Sequence, residues 1–291
     1  MENRTFIPGS EWVYFKLYTG TKTADAILKN ELFSYVNEML NNNIIDKWFF
    51  IRYNDPDFHV RLRLHQKETM NFSFVFNSFF DFFSPAVSTG IVWDIQCGTY
   101  QREMERYGAN TISMVENFFF IDSEFIIKLL HQLREDNPEQ HRWKLAIILI
   151  DSFLSAFSFD TRQKQELLSM MTENYKKEFG FTQINAKKQL DNKYRTNRRE
   201  IEQSMMWETD AGEVMNVIKA RRETIFAISE KMLFLEKHNE LQVTLNSLLT
   251  SMIHMTMNRW FRTKNRLHEL VIYDFMFRYY TSEIAKKKYI K

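Results

Sequence analysis

The sequence predicts an α+β chain, with a β-α-β-β-α-β sheet half over residues 1–108 and a larger, mostly α-helical half over 109–291. Three observations carry this. Residues 1–108 hold five of the seven glycines and three of the four prolines, and these residues punctuate strands and turns but are sparse where helices run on. Four segments of the first half alternate apolar and polar residues, or run continuously apolar, over strand-like lengths. Beyond residue 109, apolar residues recur at the three-to-four spacing of amphipathic helices.

Glu11–Tyr18 sets Val13, Phe15 and Leu17 against Trp12, Tyr14, Lys16 and Tyr18, which is the period of a strand. A helix over Thr23–Leu40 follows from Leu28, Leu32, Val36 and Leu40. Lys47–Tyr53, apolar throughout Trp48–Ile51, reads as a central strand. Asn54-Asp55-Pro56-Asp57 is a turn. Phe58–His65 alternates again: Val60, Leu62 and Leu64 face one way, and His59, Arg61, Arg63 and His65 the other. A helix over Glu68–Phe83 should end at Ser84-Pro85, and Ile91–Tyr100 is the last strand. The order is that of the ferredoxin-like split βαβ. Such a sheet carries helices on one face, so its second face, with Arg61 and Arg63, must be covered or solvated.

The helical half is read as helices near 111–119, 122–136, 140–159, 161–179, 183–207, 213–236, 240–262 and 266–285. Asp122 is placed as an N-cap, and Pro138, Gly180 and Gly212 as breaks. Residues 1–291 read as a single domain, with no repeat and no low-complexity linker. The helix near 240–262 buries Leu241, Leu245, Leu248, Leu249, Met252 and Met255. Opposite them runs a polar stripe of Ser247, Thr250, Ser251, His254 and Asn258. Six basic residues against one acidic in Lys187–Arg199 read as a solvated face rather than a docking patch.

Composition excludes several classes. A net charge of +2 is too small to imply a nucleic-acid binder. The single cysteine, Cys97, excludes an intramolecular disulfide and a cysteine-based zinc site, and it reads as a buried strand residue. No apolar run is long enough to span a membrane and no signal-peptide core follows Met1, so a cytoplasmic protein is expected. Phosphate-loop, dinucleotide and nucleophile-elbow signatures are absent, and His59 and His65 lack zinc-type spacing.

The candidate site is Arg61, Arg63, Glu103, Arg106 and His254. Two arginines at i, i+2 on one sheet face make a concentrated cationic strip able to hold a carboxylate by forked hydrogen bonds. The plain alternative is ion pairing to neighbouring strands. Glu103 and Arg106 suit a pair that orients the arginine. Arg102 and Glu105 are expected to face away. His254 has the acidity for proton transfer near neutral pH, with a reference pKa of about 6.5; the plain alternative is a surface histidine. On their own these residues describe a cationic cleft with a histidine.

In order and spacing, several short motifs resemble a family. They are Trp12–Tyr18, Trp48–Pro56, His59–Leu64, Thr99–Glu103 with Arg106-Tyr107-Gly108, Glu116–Phe119 with Asp122-Ser123, and His254-Met255 with Asn258-Arg259. They look like the thiopeptide-type bacteriocin biosynthesis domain, which is also the C-terminal, glutamate-eliminating domain of class I lanthipeptide dehydratases. The resemblance covers almost the whole chain. The family's Arg-Tyr-Gly-Gly reads Arg106-Tyr107-Gly108-Ala109 here.

The resemblance implies a lyase. Glutamate, attached as an ester to Ser or Thr of a ribosomal precursor peptide, is eliminated to leave dehydroalanine or dehydrobutyrine. Arg61, Arg63 and Arg106 would hold the glutamyl group, Glu103 would position Arg106 or handle protons, and His254 would transfer the proton as base or acid. No cofactor or metal is required. A chain of this length implies the stand-alone half of a split dehydratase. A separate glutamyl-tRNA-dependent protein would supply the ester, and no direct tRNA binding is expected. Exposed apolar residues suit a homodimer or that partner equally. Competing readings are a formal [4+2] cycloaddition of dehydroalanines to a thiopeptide pyridine, an RNA-binding module that uses Trp12 and Tyr14 as stacking platforms, and a non-catalytic peptide binder.

Overall fold

The computed structural model describes residues 3–133, 138–180 and 184–289. They form two compact units, Met1–Gln132 with Asn239–Thr263, and Leu133–His238 with Lys264–Lys291.

The first unit begins with a short strand, β1 (Thr5–Phe6), followed by β2 (Trp12–Thr19). The predicted helix over 23–40 is α1 (Thr23–Ile27) and α2 (Phe33–Asn41), joined by a π-helical turn at Leu28–Leu32. The hairpin β3 (Ile45–Asn54) and β4 (Phe58–Gln66) follows, then α3 (Phe72–Ser88), β5 (Val92–Cys97) and β6 (Tyr100–Gln101). The main sheet is antiparallel with order β3-β4-β2-β5, and β1 pairs with β6 apart from it. Thus the strand expected over 91–100 breaks at Gly98-Thr99, and its end joins a second, two-stranded sheet.

Pro85 does not end the preceding helix but sits inside α3, which runs to Ser88. Asp81, four residues earlier, is exposed, so water can satisfy the carbonyl that proline leaves without a donor. The apolar stripe of α3 covers one sheet face: Phe79 stacks on Phe15 at 4.0 Å and on Phe83 at 4.3 Å, and meets Tyr35 of α2 edge-on at 5.5 Å.

The other sheet face is covered too. After α4 (Met104–Tyr107) comes α5 (Ile112–Gln132), and later α10 (Leu245–Trp260). Asp122 is interior to α5 and not its N-cap: no break occurs, and the side chain is fully buried against Arg259 of α10 at 3.1 Å. Phe119 of α5 packs on Phe49 of β3 at 5.3 Å. With helices above and below, β2 is buried along nearly all its length.

The outer edge of β3 is closed by side chains. Phe50 N–H donates to Ser123 Oγ at 3.2 Å, while Asn258 accepts from Arg52 N–H at 2.9 Å and donates to Arg52 C=O at 2.8 Å. Unpaired edge groups that would otherwise need water are thereby satisfied. The Arg52 side chain adds bonds to Arg259 C=O at 2.9 Å and to Asp25 at 2.6 Å.

The second unit holds α6 (Pro138–Ala156), α7 (Thr161–Glu178), α8 (Ile184–Ser204), α9 (Glu213–Lys237) and α11 (Asn265–Tyr289). Asp160 starts α7 with a capping box closed by Gln163. Its buried anchor is Asp151, which accepts from Lys164 at 2.6 Å, Trp207 at 2.8 Å and Tyr280. Among the described residues no helix is long and apolar enough to cross a membrane.

Candidate functional site

All five predicted site residues lie in the first unit. Strand register builds the environment of Arg63. On β4 it faces Tyr14 of β2 on one side and Phe49 of β3 on the other. Its guanidinium lies 4.8 Å from the Tyr14 ring, 5.2 Å from Phe49 and 4.8 Å from Tyr100. Arg63 is only 9% exposed, and its Nε has no hydrogen-bond partner. Burial pulls its pKa down, the Tyr100 and Tyr14 phenols oppose that, and Arg61 adds to it. The guanidinium stays charged regardless.

Arg61, two residues earlier on the same face, lies 3.4 Å above the Tyr53 ring. Its Nε donates to His59 Nε2 at 3.0 Å, and His59 Nδ1 lies 2.8 Å from Asp57 C=O. That pattern assigns the His59 proton to Nδ1 and keeps the ring neutral, in line with a pKa lowered chiefly by burial. Among the described residues neither Arg61 nor Arg63 pairs with a carboxylate, so the plain expectation of cross-strand ion pairs fails.

Arg106 closes the set. Its Nε donates to Ser251 Oγ at 3.2 Å and its NH1 reaches Glu103 at 3.3 Å. Ser251 lies on α10 one turn before the half-buried His254, so the two share a helix side. Glu103, mostly exposed, is close enough to favour the charged form of Arg63. Arg102 is spoken for by Glu116 through bonds of 2.7 and 2.6 Å, and Glu105 by Arg4 at 2.6 Å.

Two glycines are required locally. A Cβ on Gly98 would lie 3.2 Å from the Tyr14 ring. Gly108 has φ +73°, and a Cβ there would meet Thr111 Oγ1 at 2.9 Å. The departure at Ala109 is harmless to this turn, because Ala109 uses only its N–H, donated to Gln242 at 2.7 Å.

Cys97 is exposed, contrary to expectation, because β5 is the outer strand of its sheet; partial burial still pushes its thiol up. Trp12 and Tyr14 are 1% and 5% exposed, which removes the stacking platform that an RNA-binding reading needs. Among the described residues no three His, Cys, Asp or Glu side chains converge as metal ligands.

A profile of the family described as "Lantibiotic biosynthesis dehydratase C-term" matches residues 12–280. The chain belongs to this family. It is 22% identical over 279 residues to the subtilin biosynthesis protein SpaB of Bacillus subtilis, covering 93% of this chain and 25% of that protein. The chain thus spans about a quarter of that relative's length. Among solved structures it is similar to the tRNA-dependent lantibiotic dehydratase MibB from Microbispora sp. 107891, with a TM-score of 0.75 and 18% identity over 96% of this chain and 29% of that one. It is also similar to TbtD, the pyridine synthase of thiomuracin biosynthesis, with a TM-score of 0.68 and 11% identity over 94% of this chain and 99% of that one. At such identities the two structures speak for the fold alone.

Sequence reasoning missed the aromatic box. The residue pattern places Tyr14 and Phe49 on strands, and Tyr14 beside Trp12 as a stacking platform, but sets neither against Arg63. Pairing them with Arg63 needed the register, which alternation within one strand does not supply.

Proposed function

We propose that this protein eliminates glutamate from glutamyl esters of Ser and Thr in a ribosomal precursor peptide, giving dehydroalanine or dehydrobutyrine. One observation carries the reading: two nearby arginines on one sheet face have no carboxylate partner among the described residues, and one of them is buried. Burying an ion costs several kcal/mol. Three desolvated rings return on the order of 1–2 kcal/mol each. The rings therefore offset much of that cost but accept no hydrogen bond in the guanidinium plane, and Arg63 Nε is left without a partner; an incoming anion such as the glutamyl carboxylate supplies that acceptor.

The chemistry needs little more. The Cα proton goes to a base, the Cα–H electron pair forms the Cα=Cβ bond, and the Cβ–O bond breaks with its electrons on the departing glutamate carboxylate. That carboxylate is a good leaving group, its conjugate acid having a pKa of about 4.3 by analogy with the side chain. Arg61 and Arg63 bind the glutamyl group and stabilise developing negative charge. Glu103 and Ser251 fix the Arg106 fork. His254, one turn from Ser251, transfers the proton. A glutamyl-tRNA-dependent protein supplies the ester. The β3-β4-β2-β5 strand order supports the ferredoxin-like description of the sheet.

Mass spectrometry of a purified glutamylated precursor peptide incubated with the protein tests this. Loss of glutamate with appearance of a dehydro residue is expected. A persistent ester, with folded protein and matched peptide, refutes it. Macrocycle formation from an already dehydrated peptide would establish the cycloaddition reading instead.

A further inference from the structure

The second unit contains a cavity of about 500 Å³ between α8 and α11, with Trp143 of α6 at its side. That is within the roughly 300–1,000 Å³ of ligand sites. Its floor is apolar: Leu190, Leu270 and Phe275 are buried, Trp143 meets Phe275 edge-on at 5.9 Å, and Leu267 at the mouth is 40% exposed. Among the described residues its wall includes no acidic side chain. Lys193 and Lys264 do line it, both exposed and neither paired with a carboxylate among the described residues. Gln189, Lys193 and Asn197 fall on one stripe of α8, at a spacing of four. Asn197 spends its Nδ2 on Lys193 C=O at 2.8 Å, which leaves its Oδ1 as the acceptor it offers.

We propose that this cavity binds a peptide segment carrying a branched or aromatic side chain beside carboxylates. The apolar floor takes the side chain, and the two ammonium groups take the carboxylates. Asn197 Oδ1 accepts a backbone N–H, and Gln189 supplies a donor and an acceptor to the same backbone. A free fatty acid would match the floor and the lysines but bring no N–H for Asn197. None of the five residues assigned to elimination lines this cavity.

Fluorescence anisotropy with the full chain and a fluorescein-labelled peptide Gly-Glu-Phe-Leu-Asp-Gly tests the proposal. Saturable binding is expected, at least tenfold weaker for Gly-Gln-Phe-Leu-Asn-Gly and for the double variant Lys193→Glu/Lys264→Glu. Both lysines are exposed, so that variant should fold. Val271→Trp, at the cavity wall, should also abolish binding, while Lys231→Glu, at an exposed lysine of the same unit outside the cavity lining, should leave it unchanged. Binding that does not saturate, or that survives the double variant, overturns the proposal. So does binding indifferent to Val271→Trp, which would mark charge adsorption outside the cavity. Decanoate binding without peptide binding overturns it in favour of a free amphiphile.

Discussion

Replacing Asn258 with alanine should loosen the edge of β3 and the helix beside it. The carboxamide makes two bonds to one residue, accepting from Arg52 N–H at 2.9 Å and donating to Arg52 C=O at 2.8 Å. Arg52 is 3% exposed, so both backbone groups lose their partner in a dry place. Each such loss costs about 1–3 kcal/mol. Asn258 itself is half-buried, which lets water recover part of that, so about 2–3 kcal/mol is expected in all. At roughly 2–4 °C per kcal/mol for a unit of this size, melting falls by about 4–12 °C. Amide exchange in peptides spanning Phe50–Tyr53 should accelerate roughly 30- to 150-fold. Asn258→Asp keeps the acceptor and loses the donor, so it should fall between. Because α10 also carries Ser251 and His254, elimination should drop about tenfold or more, a small misplacement being enough. A variant that melts within about 1 °C of the parent, with β3 protection intact, would refute the clamp.

Arg63→Met should leave melting unchanged or raise it, since it removes a buried cation that has no carboxylate partner among the described residues. Elimination of glutamate should fall about 100-fold or more, and a destabilised variant would count against this account of Arg63. Glu124, held by Trp48 at 2.7 Å, has its pKa raised by burial above the usual carboxylate value of about 4.3. The folded state therefore holds this proton more tightly than the unfolded one. Its contribution to stability falls as pH rises from about 4.3 through the folded pKa. Glu124→Gln should thus gain stability at pH 7 and flatten that part of the urea-denaturation profile; a loss at pH 7 would reverse the sign of the argument. Gly98→Ala should displace the Tyr14 ring, costing about 1–3 kcal/mol by overpacking. Tyr14-sensitive near-ultraviolet circular dichroism and elimination should change together.

The sequence by itself determined the four strands of the main sheet, most helix positions, the cationic strip on β4 and the family resemblance, but not the separate pairing of β1 with β6. These are local properties: alternation sets which side of a strand Arg61 and Arg63 take, and helical spacing sets that Ser251, His254 and Asn258 share a stripe. Three things were decided only by tertiary structure. Asp122 looks like a helix cap in sequence but is the buried partner of Arg259, because an ion pair between distant segments leaves no local pattern. Cys97 looks like a core residue but is exposed, because which strand is outermost depends on sheet order. The box around Arg63 exists because register sets Tyr14 and Phe49 opposite it and packing brings Tyr100 to the same guanidinium. Whether an arginine is paired or waiting for an anion is a question of which residues surround it in space, and no one-dimensional period encodes that.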